Sequence, residues 1–211
     1  MTGEISQTKL TAFAAGVYLL LGTLALATTT HGQVEPTVKL EVISNGLTRT
    51  INDGDTLTLG GEETIIRTLS VKTFAMEGLR FDFPRDYAYK HQVEKGFRSW
   101  TFDGNNFVIM LFEFSGKTDV ADFTREMVKK FGRKNCTVSP KTIRLGQTEI
   151  NGTRIHVALL GSRLTFDLFP LSVAPEKGHI IAFQDTKSDG NEDSSEGIDT
   201  LDLICRTIEF K

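Results

Sequence analysis

Fourteen of the 15 phenylalanines in this 211-residue chain fall between Phe74 and Phe210, and residues 28–73 hold no Phe, Tyr or Trp at all. Large side chains fill a core, so this asymmetry confines the main packed domain to residues 74–211 and leaves 28–73 too thin to bury much area alone. That stretch has 11 threonines and strand-like pieces at 38–43, 47–51, 56–59 and 64–69. Asn45-Gly46, Asp53-Gly54 and Gly60-Gly61 separate them and supply the positive φ that tight hairpins need. The expectation is a small Thr-rich β meander that leans on the second region, leans on a partner or is loosely ordered.

Residues 10–27, LTAFAAGVYLLLGTLALA, form an uncharged apolar run behind Lys9, the pattern of a secretory signal. Ala25 and Ala27 give an A-x-A cut before Thr28, which makes residues 1–27 a signal peptide. The other reading is a retained N-terminal anchor, for which this run is at the short end of the roughly 20 residues that a spanning helix needs. Both readings put the rest of the chain outside the cytoplasm, in the periplasm or secreted. There Cys136 and Cys205 either form one disulfide or remain two buried thiols. The net charge of −3 argues against a nucleic-acid backbone as partner, and the composition excludes collagen-like, disulfide-dense and multi-pass membrane chains.

Residues 74–211 read as one α+β domain. Leu79, Phe81 and Phe83 alternate in GLRFDFP, as in a strand with one buried face that Pro84 stops. Residues 106–114, NFVIMLFEF, are apolar on both faces, which predicts a central strand covered on each side. Further strands are expected at 153–160, 163–173 and 179–185. Val120, Phe123, Met127, Val128 and Phe131 make one stripe of a helix over 119–131, capped by Thr118 or Asp119 and ended by Gly132. A second helix is expected over about 195–206, with Ile198, Leu201, Ile204 or Cys205 and Ile208 inward and Asp193 with Glu196 at capping-box spacing.

The order of GLRFDFP, a strand bearing Trp100, a two-faced strand, a Phe/Met-striped helix, three strands and a helix running into Ile204-Cys-Arg-Thr-Ile-Glu-Phe210 resembles the PsbP-like family. That family includes the extrinsic PsbP subunits of photosystem II, a nuclear Ran-binding import factor and DcrB-type bacterial envelope proteins. Over residues 74–211 the resemblance implies an antiparallel sheet flanked by two helices and a binding or assembly role. It transfers no functional residue.

Asp185, Asp189, Gly190, Asp193 and Glu196 match positions 1, 5, 6, 9 and 12 of an EF-type calcium loop, and make calcium the one candidate cofactor. Lys187 stands where a ligand should be, Glu192 replaces the usual apolar residue and a strand leads in. The opposing reading is a solvated acidic loop that caps the last helix. His31, His91, His156 and His179 have no zinc spacing, and His156 is expected on the polar face of its strand. No nucleophile elbow, P-loop or dinucleotide fingerprint occurs. Asn151-Gly152-Thr153 is a glycosylation sequon or simply a turn. Lys129, Lys130, Arg133, Lys134, Lys141 and Arg144 complement a helix dipole or offer one basic face to anionic lipid or an acidic partner. The function expected is a non-enzymatic extracytoplasmic accessory that binds an envelope protein. The alternative is a small ligand carrier or enzyme using a cleft between sheet and helices.

Overall fold

The structure is a computed structural model that describes residues 34–44, 46–52, 55–57, 64–159, 161–174, 176–187 and 191–210. The leader, His31, Asp53-Gly54, Gly60-Gly61 and Asp189 lie outside the described residues. Among those described are thirteen strands, two α-helices and one 3₁₀ turn. The strands form three antiparallel sheets ordered β2-β1-β3, β6-β7-β8-β12-β11-β10-β9 and β13-β5-β4.

The large sheet is built from β6 (Ala88–Glu94), β7 (Phe97–Asp103), β8 (Phe107–Phe114), β9 (Cys136–Leu145), β10 (Thr148–Leu159), β11 (Ser162–Leu171) and β12 (Gly178–Thr186). Successive residues of a strand point to opposite faces, so β8 sends Ile109 and Leu111 into one core and Met110, Phe112 and Phe114 into the other. The first core lies under β4 (Val71–Met76), β5 (Leu79–Pro84) and α2 (Ser195–Thr207); the second lies under α1 (Val120–Phe131). Asp119 caps α1 by accepting from the Ala121 N–H at 2.8 Å, and Val120, Phe123, Met127 and Phe131 form its buried stripe.

The expectation of one sheet flanked by two helices is overturned: the chain is mostly strand, in three sheets. GLRFDFP does not join the large sheet. As β5 it pairs with β4, Phe74 opposite Phe81, and with β13 (Glu209–Phe210), making a second layer. Leu79, Phe81 and Phe83 point down from that layer, and Phe83 meets Phe102 of β7 at a ring separation of 4.6 Å. Period-two alternation establishes that one face is buried but not which layer the strand belongs to. Strand β4 runs across the expected 73/74 boundary, since residues 71–73 are already part of it.

Ahead of this body, β1 (Lys39–Ser44), β2 (Leu47–Asn52) and β3 (Thr64–Thr68) make the small first sheet. It is not a meander: β3 returns to the other side of β1, with Val42 opposite Ile66. The sheet is tethered to β4 by the hydrogen bond from Lys39 Nζ to Thr73 Oγ1 and by the Lys72–Glu35 ion pair at 2.6 Å.

Candidate functional site

The N-terminus of α2 is fastened to the ends of β8 and β12. Asp185, the penultimate residue of β12, accepts from the Ser194 N–H at 3.1 Å and from its Oγ at 2.6 Å, while Ser194 Oγ accepts from the Gly197 N–H at 2.9 Å. Ser194 is therefore the cap, not Asp193. Glu196 accepts from the backbone N–H groups of Asn105 and Asn106 at 2.9 and 2.6 Å. At its other end α2 meets the β9–β10 turn, where the Gly146 N–H donates to the Cys205 carbonyl at 2.9 Å. Between these attachments the helix leaves a groove of about 300 Å³ over β10, β11 and β12.

Arg154, Thr165, Asp167 and Asp185 line the groove from the sheet, and Phe107 and Phe183 stack beside them at 6.0 Å and 15°. Leu201, Cys205 and Ile198 line it from α2. The sequence places Ile198 in the core; it is instead 57% exposed. Arg154 and Asp167 face each other in register and pair through Nε and Nη2, both at 2.6 Å. Those hydrogen bonds outweigh burial and hold the guanidinium above its ordinary pKa. Lys187, almost wholly buried, lies 3.6 Å from Asp185 and pairs with Asp193. Burial and then Arg154 push its pKa down, with Asp185 opposing.

This geometry disperses the described members of the proposed calcium loop. Asp185 holds Ser194, Asp193 meets the Lys187 ammonium, and Glu196 turns to the β7–β8 hairpin. Among the described residues no group of three or more His, Cys, Asp or Glu gathers as a metal cage.

Of the two readings of the cysteines, one disulfide or two separate thiols, the geometry matches the second. Cys136 opens the ten-residue β9 and packs in the α1 layer, whereas Cys205 packs in the other layer beside Gly146, past the far end of that strand. Such a strand spans about 33 Å, and a disulfide tolerates a Cα separation of only about 7 Å. Both thiols are free, and burial raises their pKa values. The basic residues do not share one face either: Lys141 and Arg144 lie three positions apart in β9, an odd offset, and point to opposite sides of the sheet.

A second polar cluster, on the same face toward the opposite end of the strands, was not singled out from sequence. Arg98 donates to Glu113 through Nε and Nη2 at 2.7 and 2.6 Å, and Lys177 and His179 approach the same carboxylate at 3.4 and 3.3 Å. Arg98 and Glu113 are register partners. The available signal was a lone charge inside an apolar strand, Glu113 in NFVIMLFEF, as with Asp167 in LTFDLF. His156 lies opposite Thr165, half-buried, beyond the groove floor.

No protein-family model matches the sequence, and no curated protein is similar to it. Among solved structures, one from Bacteroides thetaiotaomicron VPI-5482 is similar at 14% identity and a TM-score of 0.41, over 68% of this chain and 49% of that one. The chain thus spans about half the length of that protein.

Proposed function

We propose that this chain is a non-enzymatic binding accessory outside the cytoplasm, and that the β1–β3 sheet is its contact with a protein partner. One observation carries the reading. Strand β3 lies at an edge of its sheet and exposes Ile65 by 44% and Ile66 by 59%. Adjacent residues point to opposite faces, so this edge is apolar above and below. An open apolar edge is a template for an added strand, with the backbone supplying affinity and side-chain pockets supplying selectivity. Leu47 on the opposite edge strand is 64% exposed and extends the surface. The compartment is supported by the apolar run at 10–27. The groove under α2 favours a second reading, a ligand carrier.

The test is crosslinking in the native cells with a C-terminally tagged copy, comparing the parent chain with Ile65→Lys/Ile66→Lys. Both sites are exposed, so stability should move by no more than about 1 kcal/mol in total. The expected result is one dominant envelope partner for the parent and its loss in the variant. Retention of that partner by a folded variant overturns the assignment.

A further inference from the structure

We propose that the groove between α2 and β10–β12 binds a small organic cation, an ammonium group carried on an apolar or aromatic body. This inference stands apart from the β1–β3 reading, because it concerns other residues and another class of ligand.

Shape and surface come first. The groove, about 300 Å³, falls at the small end of the range for small-molecule sites, which are mostly apolar with a few fixed polar groups. Its wall is the stacked pair Phe107 and Phe183, faced by Leu201 across the opening. Ile198 stands at the mouth with more than half its surface in water, although it belongs to the first turn of an otherwise amphipathic helix. A ligand with an apolar body covers that side chain; nothing else among the described residues does.

Charge then selects the polar end of the ligand. Asp167, Asp185, Asp193 and Asp202 all line the groove, against the single cation Arg154, with Lys187 beside Asp185 and Asp193. Arg206 also lies 3.1 Å from Asp202; three positive charges still do not balance four negative ones, so an anion entering here meets net repulsion and a cation meets attraction. Asp167 and Asp185 are themselves buried and locked by Arg154 and Ser194. Their oxygens are thus fixed in place, and each carboxylate oxygen keeps accepting capacity beyond the bonds it already makes.

Three probes of one shape separate these contributions: 2-phenylethylammonium, 2-phenylethanol and 3-phenylpropionate, each titrated into the purified chain and followed by calorimetry and by amide shifts. The expected result is saturable binding of the ammonium, at least about tenfold weaker binding of the alcohol, in line with the strength of charge-assisted hydrogen bonds, and none of the carboxylate. Asp202→Lys, at an exposed rim position, should weaken the ammonium by about tenfold or more, and Leu201→Trp should abolish it by filling the groove. Absence of saturable ammonium binding overturns the proposal. So does equal binding of alcohol and ammonium, or binding undiminished in a folded Asp202→Lys chain.

Discussion

Glu113 shows how one buried charge is tolerated in a strand whose other residues are apolar. Burial pushes its pKa up, but the Arg98 hydrogen bonds, with the charges of Arg98 and Lys177 and the His179 contact, hold it below its ordinary value. Removing one member of such a pair strands the other, which costs far more than breaking the exposed Asp122–Arg125 pair on α1. His179 shares this carboxylate and is fully enclosed, and burial keeps its pKa below the ordinary 6.5 although Glu113 pulls the other way. Its Nδ1 has no partner among the described residues. The unfolded chain therefore takes up the His179 proton first, so the stability contributed by the neutral ring is complete above pH 6.5 and is lost as the pH falls below it. Glu113 adds a further loss below 4.5. His91 and His156 are also lowered and act in the same sense. Denaturation between pH 7 and pH 5 should show stability falling with acid, at up to about 1.4 kcal/mol per pH unit for each proton taken up. His179→Gln should flatten part of that slope; an unchanged slope would place the enclosed ring outside the titration.

At the scale of elements, the first turn of α2 fixes the groove's width, and Ser194 fixes that turn. Its Oγ accepts from the Gly197 N–H and donates to Asp185, so Ser194→Ala removes a cap and loosens the carboxylate together. The expected cost is about 1–2 kcal/mol in chemical denaturation; a loss below about 0.3 kcal/mol would mean that the Glu196 contacts to the β7–β8 hairpin hold the turn without it. The cap itself escaped sequence reasoning because Asp193 and Ser194 both suit the position, and only the path of the chain into Asp185 decides between them. Strand β8 was legible because a run apolar on both faces fits little else than a strand between two cores. Strand β9, CTVSPKTIRL, was not: it is polar, carries Pro140 and survives because it lies at the edge of the large sheet. The helices were legible to within a residue or two from their stripes, yet Ile198 belonged to the stripe and still faces the groove.

For the whole molecule, the large sheet separates two cores, one beneath α1 and one beneath α2 with the β4–β5–β13 sheet. The small β1–β3 sheet stands beside this body, and among the described residues its edge strands β2 and β3 carry exposed apolar side chains. Residues 28–73 hold no Phe, Tyr or Trp, so the small sheet has nothing large with which to build a core of its own. The groove was not announced. Its residues come from β8, β10, β11, β12, the loop ahead of α2 and α2 itself, elements far apart in sequence that only the fold brings together. The central claim, that the small sheet is the contact surface, is tested most directly by placing a photo-crosslinking residue at position 66 and, separately, at position 198 in the native cells. The account predicts a discrete adduct with one envelope protein from position 66 and none with that protein from position 198. No adduct at 66, or the same adduct from 198, would contradict it.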